Sequence, residues 1–239
     1  AVDTESNSLH AYRERVCLIQ FSTPARDYIV DPLRLPDLSP LAPLFANAQQ
    51  PKVFHAAEYD LLCLKRDYGF AVAEIFDTMF AARTLGWTQL GLAAILEARF
   101  DVKMNKRYQR ADWGRRPLTP EQLDYARLDT HHLLPLRDML LAELTAAGRL
   151  DEAREDFDRI AQVKNGPTGN GAPAFWRVKG ARDLTPAQAG VLQALWRYRE
   201  QQAEHANRPP FKIMGNTTLI GIARAGPRQS RAPVFTRSS

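Results

Sequence analysis

The sequence predicts an α/β fold in which a mixed sheet is flanked by helices, followed by a small all-helical domain. Three short apolar runs at the start have the spacing of an antiparallel meander. After them, strand-like runs alternate with helical periodicities, which is typical of a layered α/β domain. A stretch rich in Gly, Pro and Asn then precedes a purely helical pattern.

Five short strands are predicted in the first part of the chain. In order they are AVDTE, RVCLIQFST and RDYIVDPL in the meander, then KVFHAA and EIF between helices. The run after KVFHAA has helical periodicity and should end at Gly69, because glycine tolerates the left-handed conformation that closes a helix. Asp77 and Thr78 follow EIF and are interpreted as the cap of the next helix, which ends at Gly86, rather than as part of a metal site.

Further helices follow the same logic. One should begin at Ser39 and Pro40, and TQLGLAAILEARF is amphipathic. The segment DVKMNKRYQRADWGRRP is polar and irregular. The run LTPEQLDYARLDTHHLLPLRDMLLAEL then predicts a single long helix, capped by Thr119 with Pro120 in its first turn.

Composition sets the expected boundaries of the domains. We expect an α/β domain over residues 1–160, a flexible linker over 161–174, a helical domain over 175–226 and a disordered tail over 227–239. The net charge is −4 for residues 1–160 and +9 for the remainder. A basic appendage on an acidic body favours a phosphate-bearing polymer as partner, although a basic tail that only aids solubility has the same charge.

The totals also exclude some classes of protein. The 239 residues contain no apolar run that approaches the roughly 20 residues of a membrane span, and no signal segment opens the chain, so a cytoplasmic protein without a membrane partner is predicted. Cys17 and Cys63 lie in apolar runs and are interpreted as buried thiols in a reducing compartment. His131 and His132 lack the further ligands that a zinc site needs.

Three acidic positions stand out. Asp3 and Glu5 are two apart, so they share a face if they lie on a strand. Asp60 lies near the start of a helix that follows a strand, and Tyr125 and Asp129 are four apart on one helical face. Each position alone has a simpler explanation. Asp3 and Glu5 could lie in a solvated loop, Asp60 could be a charge favoured at a helix start, and Tyr125 could be a packed ring beside a solvated Asp129.

Together and in this order, the motifs VDTE, FHAAEYD and YARLD resemble the DEDD superfamily of 3′-5′ exonucleases. Within it they resemble the ribonuclease D branch, which has a tyrosine in the third motif. The resemblance covers roughly residues 2–145 and implies a ribonuclease H-like sheet in an exonuclease domain over residues 1–160. The segment LWRYREQQAEHANRPPFKIMGNTTLIGIAR resembles the first half of an HRDC module, so residues 175–226 are expected to form a partial HRDC-like domain.

The resemblance implies that Asp3, Glu5, Asp60 and Asp129 are the catalytic, metal-binding acids and that Tyr125 is the catalytic tyrosine. Four converging carboxylates need positive charge between them, and oxygen ligands suit Mg²⁺ or Mn²⁺ rather than zinc. Two such ions would flank a phosphodiester, one beside the attacking water and one beside the leaving 3′-oxygen. Because the pKa of a free phenol is about 10, Tyr125 is expected to orient the water rather than to deprotonate it.

The segment KMNKRYQRADWGRR has six basic residues in 14 and is the predicted substrate-binding loop. Lys106, Tyr108, Trp113 and Arg116 are the candidate contacts, although a solvated loop whose Trp113 fills the core would have the same sequence. His55 begins the second motif and is expected either to line the nucleotide pocket or to be a buried structural residue.

The predicted function is a 3′-5′ exoribonuclease that acts on single-stranded RNA ends in RNA maturation or decay and releases nucleoside 5′-monophosphates. A monomer is expected. One alternative is the same chemistry on DNA, which contacts to the 2′-hydroxyl would decide. Another is a catalytically silent RNA-binding module, against which the intact set of mutually repelling acids argues.

Overall fold

A computed structural model describes residues 1–162 and 174–226, which fall into two compact units. The first unit comprises residues 1–10 and 14–162, and the second is centred on residues 174–226. Most of the predicted linker and the whole of the predicted disordered tail lie outside the described residues.

The first unit contains an antiparallel and a parallel group of strands. Strands β1 (Val2–Ser6), β2 (Val16–Ser22) and β3 (Asp27–Val30) form an antiparallel sheet in the order β1-β2-β3, which is the predicted meander. Strands β4 (Lys52–Phe54) and β5 (Ile75–Asp77) pair in parallel, and β4 lies beside β1. The predicted mixed α/β fold is therefore confirmed.

Seven α-helices accompany these strands in the described part of the first unit. They are α1 (Ala42–Ala46), α2 (Glu58–Tyr68), α3 (Thr78–Thr84), α4 (Leu92–Phe100), α5 (Pro120–His131), α6 (Leu133–Ala146) and α7 (Leu150–Ala161). The predicted caps are present: Gly69 closes α2 with a φ of 69°, and Thr119 and Gln122 form a capping box at the start of α5.

Two predicted helices and one segment that was predicted to be irregular differ in the structure. Ser39 begins a 3₁₀ turn that leads into α1, and the irregular basic segment contains a 3₁₀ helix over Lys106–Arg110. The single long helix is wrong, because it breaks at His132 into α5 and α6. Pro135 explains the break: a proline lacks the N–H that would bond the carbonyl four residues earlier and its ring clashes with that carbonyl. Helix α7 was not predicted.

Helix α5 packs against one face of the antiparallel sheet. Leu18 from β2 lies there in a buried cluster with Trp113, Tyr125 and Ala126. The larger apolar core of the unit is a separate cluster, whose fully buried members include Phe45, Phe54, Leu64, Leu136 and Leu140. Consequently α5, which carries Tyr125 and Asp129, is fixed against the strands that carry Asp3 and Glu5.

The second unit is helical, as predicted. It contains 3₁₀ turns at Ala174–Arg177 and Ala181–Asp183, followed by α8 (Pro186–His205), α9 (Pro210–Ile213) and α10 (Asn216–Ala225). A Thr185 capping box starts α8. The unit has its own apolar core, formed by Phe175, Val178, Ala181, Leu192, Leu219, Ile220 and Ala223. Across the described residues of both units, the helices lack the combination of length and hydropathy that a membrane crossing requires.

Candidate active site

Three carboxylates converge at the edge between β1 and α5. Asp3 and Glu5 lie on β1, opposite Gln20 and Leu18 of β2, and the register shifts directly after Glu5. Asp129 comes from α5. Each of these three acids offers a carboxylate oxygen within 4.8 Å of those of the other two. The structure thus brings together residues that are far apart in the sequence, and their like charges face one another.

The fourth predicted acid, Asp60, is held against β1 in a different way. It lies in the first turn of α2 and is buried. Its Oδ1 accepts hydrogen bonds from the backbone N–H of Thr4, at 3.1 Å, and from the Thr4 hydroxyl. Asp60 is therefore anchored to the residue between Asp3 and Glu5, beside the group of three rather than within it.

The pKa values of all four acids are raised, as expected for buried carboxylates without a positive charge beside them. Burial raises the pKa of Asp129 to about 8, and repulsion by Asp60 adds to this shift. Burial also raises the pKa of Asp60 to about 7, against the opposing hydrogen bonds from Thr4. The pKa values of Asp3 and Glu5 are raised by burial first and by neighbouring carboxylates second. In the described residues no lysine or arginine forms an ion pair with any of the four.

These residues fit a divalent cation. The donors are carboxylate oxygens, which bind hard ions such as Mg²⁺ and Mn²⁺. A second observation is Gln20, which is fully buried opposite Asp3 and whose amide nitrogen and oxygen find no hydrogen-bond partner among the described residues. An unpaired buried polar group lowers the stability of a protein by about 1–3 kcal/mol. Such a group therefore indicates a place where a function requires it.

Tyr125 lies one helical turn before Asp129 and is 7% exposed. Its ring packs between Tyr108 and Trp113, at centroid distances of 5.9 and 6.1 Å. Burial, followed by the negative charge of Asp129, raises the pKa of the phenol well above its ordinary value. The phenol therefore stays protonated at physiological pH, so it can orient a hydrogen-bonded group but cannot serve as a base.

A cleft of about 550 Å³ opens in front of these side chains. Six of the ten predicted site residues line it: Asp3, Glu5, His55, Lys106, Tyr125 and Asp129. The remaining wall is mostly apolar or backbone and was not predicted; it comprises Ala56, Met79, Gly91, Leu92, Ala93, Ala94, Met104 and Gln109. If the acidic floor holds divalent cations, this cleft would suit a ligand with a phosphate to meet the cations and a flat ring to lie on the apolar wall.

Family models match both units. Residues 1–145 match the model of a 3′-5′ exonuclease family, and residues 188–232 match the model of the HRDC domain. The chain belongs to the 3′-5′ exonuclease family. The predicted resemblance to ribonuclease D with an HRDC-like module is thereby confirmed, and enzymes of this family depend on divalent metal ions.

Several known proteins and solved structures are similar to this chain over most of its length. The exosome complex component 10 homolog of Caenorhabditis elegans is 34% identical over 232 residues, which cover 95% of this chain and 26% of that protein. The catalytic core of RRP6 from Trypanosoma brucei has a TM-score of 0.80 at 29% identity, covering 94% of this chain and 63% of that one. Escherichia coli RNase D, described as an exoribonuclease involved in structured RNA processing, has a TM-score of 0.70 at 28% identity, with coverages of 94% and 60%. The chain thus spans about a quarter of the length of its nematode relative.

In this member of the family, His55 both lines the cleft and contacts the neighbouring α3. Its Nδ1 lies 2.9 Å from the Thr78 hydroxyl, which itself donates to the Phe54 carbonyl. Because that hydroxyl has one proton to donate, it accepts from His55, and the Nδ1–H tautomer is assigned on this basis. Burial lowers the pKa of the ring. His55 therefore lines the cleft and also contacts Thr78, and its role in nucleotide binding stays a prediction.

Two predicted substrate contacts are engaged within the protein itself, and their role in substrate binding stays a prediction. Trp113 is 1% exposed and packs inside the cluster below α5, so its face is not available to a base. Arg116 donates to both carboxylate oxygens of Asp31 at 2.7 Å and to the carbonyl of Cys17 at 2.8 Å. Its guanidinium is thus committed to fixing the loop that contains it. Tyr108 is half-buried against Tyr125 and is not among the residues that line the cleft, whereas Lys106 is exposed at its rim.

Asp77 caps a helix, as predicted, and it also binds the turn that precedes α2. Its carboxylate accepts from the backbone N–H groups of Met79 at 2.9 Å and Phe80 at 3.1 Å, at the start of α3. It also accepts from the N–H groups of Ala56 at 3.2 Å and Ala57 at 2.7 Å, in the turn that leads into α2. Ala56 has a φ of 62°, which is unfavourable for a residue with a Cβ. Asp77 therefore clamps a strained turn on the wall of the cleft.

The neighbouring His131 contacts a carboxylate of the sheet. His131 Nδ1 lies 2.8 Å from Oδ2 of Asp27 on β3, so it joins α5 to the sheet. Among the described residues, the one group of three or more His, Cys, Asp or Glu side chains with metal-ligand spacing is the acidic group of Asp3, Glu5 and Asp129.

Proposed function

We propose that this chain is a divalent-metal-dependent 3′-5′ exoribonuclease, which removes nucleotides one at a time from single-stranded RNA ends and releases nucleoside 5′-monophosphates. One observation supports the proposal: Asp3, Glu5 and Asp129 converge beside Tyr125 on the floor of a cleft, and no lysine or arginine of the described residues forms an ion pair with them. A catalytically silent binding module would gain nothing from such repulsion.

Asp3, Glu5, Asp60 and Asp129 would hold the metal, with two ions of Mg²⁺ or Mn²⁺ as the proposed complement. When bound, such ions supply Lewis-acid stabilisation and a more acidic water. The remaining contribution of the protein is to position the reacting groups. Tyr125 hydrogen-bonds the attacking water through a phenol that keeps its proton, and α5 holds this group and Asp129 one turn apart.

The walls of the cleft would orient the terminal nucleotide. Lys106 is exposed at the rim and can meet a backbone phosphate. Met79, Leu92 and Met104 offer an apolar surface for a base or a sugar face. His55, held neutral and fixed by Thr78, adds a polar ring to this wall.

RNA is the proposed substrate because the similar proteins named above include RNase D, RRP6 and an exosome component. We place the protein in a reducing compartment, with the cytoplasm as the proposed location, because Cys17 and Cys63 are buried free thiols. A monomer remains the expected state. RNA maturation or decay remains the proposed role.

The second unit is proposed to help hold RNA by charge. Its described residues 174–226 contain eight Lys and Arg against three Asp and Glu. Tyr198 and Phe211 are both 54% exposed and can stack on unpaired bases. Binding of this kind weakens steeply as salt rises.

The test uses a single-stranded RNA labelled at its 5′ end and a DNA strand of the same sequence. Each is incubated with the full chain, with and without Mn²⁺ or Mg²⁺. We expect a metal-dependent ladder that shortens by one nucleotide at a time, faster on RNA, and its loss in Asp129→Asn. Asp124→Asn is the matched control, because Asp124 lies exposed on the same helix. A DNA-preferring ladder would overturn the substrate, and binding without any ladder would overturn the enzyme.

A further inference from the structure

We infer that Gln20 is a positioning residue whose side-chain amide holds the carboxylates of Asp3 and Asp129 in their metal-binding orientation. This inference rests on the proposed function, because it concerns the same carboxylates. Gln20 belongs to none of the three motifs that carry the resemblance to the exonuclease family.

The strand register places Gln20 beside Asp3. Gln20 of β2 is the direct partner of Asp3 of β1 in the antiparallel pair. Directly opposed side chains lie on the same face of a sheet, with Cβ atoms about 5 Å apart. The amide of Gln20 therefore shares the face of the sheet on which Asp3 and Glu5 lie.

The contacts of its neighbours place Gln20 beneath Asp129 as well. Leu18, two residues before Gln20 and on the same face, packs with Tyr125 and Ala126 of α5. Ser22, two residues after it, has its hydroxyl 2.7 Å from that of Thr130 on the same helix. Gln20 lies midway between these two attachment points, under the stretch of α5 that contains Asp129.

The state of the Gln20 amide indicates what it does there. The residue has no exposed surface, and neither Nε2 nor Oε1 finds a hydrogen-bond partner among the described residues. Its neighbour Ser22, on the same face, is fully engaged with Asp27 and Thr130. A buried amide is almost always paired, so an unpaired one on the face that carries Asp3, under the stretch of α5 that carries Asp129, indicates a donor kept for carboxylates that hold a metal ion.

The chemistry of the pairing is simple. A carboxylate that binds a cation through one oxygen presents its other oxygen as a strong hydrogen-bond acceptor. The Nε2 of Gln20 supplies two N–H groups at that place. Partners of this kind fix the orientation of metal ligands in many proteins, and their loss costs about 10- to 100-fold in metal affinity.

The experiment compares Gln20→Met with the unmodified full chain. Methionine has nearly the shape of glutamine but neither donor nor acceptor of its strength. Mn²⁺ binding is followed by calorimetry, and the melting temperature is measured without metal. We expect Mn²⁺ affinity to fall by about 10- to 100-fold while the metal-free melting temperature stays equal or rises, because an orphaned amide has been removed.

The matched control is Ile19→Met, on the same strand and equally buried but facing the other side of the sheet. It should leave Mn²⁺ affinity unchanged. A Gln20→Met protein with unchanged Mn²⁺ affinity and a lower metal-free melting temperature would make Gln20 an ordinary core residue and overturn the inference. If the unmodified chain bound no Mn²⁺, the metal site itself would be overturned, and the inference with it.

Discussion

Two buried aspartates in the first unit, Asp77 and Asp129, differ in almost everything except burial. Asp77 is 0% exposed and accepts four backbone N–H groups. Asp129 is 9% exposed and accepts no hydrogen bond from the described residues, and burial raises its pKa to about 8. The hydrogen-bonding capacity of the Asp77 carboxylate is therefore satisfied by the protein itself. The Asp129 carboxylate has no such donors among the described residues, and it would need a cation or a proton to be stable when buried.

Asp60 lies between these two extremes. It accepts two hydrogen bonds, both from Thr4, and these bonds oppose the burial that raises its pKa to about 7. The number of donors thus separates a structural carboxylate from a functional one. The lesson is general: a buried acid without hydrogen bonds is a stronger indication of a metal or a proton than a cluster of acids alone.

The largest expected effect is that of Asp129→Asn. It should reduce exonuclease turnover at least about a thousand-fold, since a lost metal ligand removes several kcal/mol of transition-state stabilisation. Without metal, the folded-state pKa of Asp129 is about 8 against about 4 when unfolded, so the wild-type chain loses stability as pH rises from 4 to 8. The variant lacks this loss, and melting at pH 8 should show it to be the more stable protein. A variant that is less stable at pH 8 would contradict the comparison.

Asp77→Ala should have the opposite profile. Removing the carboxylate orphans four backbone N–H groups and a helix cap, which should lower the free energy of unfolding by about 2–4 kcal/mol. Asp77→Asn keeps one acceptor oxygen and should lose about half as much. Urea unfolding of the metal-free protein measures both, and a loss below about 1 kcal/mol for Asp77→Ala would show that the clamp is unimportant.

Tyr125→Phe tests the positioning role within the acidic region. Losing one hydrogen bond to the attacking water should lower turnover by about 10- to 100-fold. Because the phenol is protonated throughout the accessible range, the pH–rate profile should keep its shape. If the variant kept wild-type turnover, or if its profile lost a titration step, the assigned role of Tyr125 would be wrong.

Ala56→Gly tests the strain that Asp77 imposes, and its effect should be the smallest. Relieving a left-handed alanine gains roughly 1–2 kcal/mol, of which the extra flexibility of glycine removes about half. We expect the free energy of unfolding to rise by about 0.5–1 kcal/mol in urea titrations. Destabilisation would mean that the turn is not strained.

Local sequence signals predicted the local structure well. Thr119, Asp77 and Gly69 each mark a helix end through their own chemistry, and all three appear at the predicted ends. The break at His132 was missed because the apolar periodicity continues through it, although Pro135 was a readable signal.

Contacts between distant segments were harder to predict. Asp3 and Asp129 were placed together through the family resemblance, since no local pattern joins them. Arg116 was assigned to RNA because its partner, Asp31, lies 85 residues away and leaves no trace in the local composition. Trp113 was assigned to RNA for a similar reason. The local sequence of a tryptophan in a basic loop is the same whether its ring faces solvent or the core, and here the ring is buried.

The most direct test of the central claim counts the protons that Mn²⁺ displaces. Calorimetric titration of the full chain at pH 7, in two buffers of different ionisation enthalpy, measures that number. With the pKa of Asp129 at about 8 and that of Asp60 at about 7, we expect binding to release one proton or more at pH 7 and fewer at pH 9. Binding heats that are identical in both buffers, or no binding at all, would contradict the account of these carboxylates as a metal site.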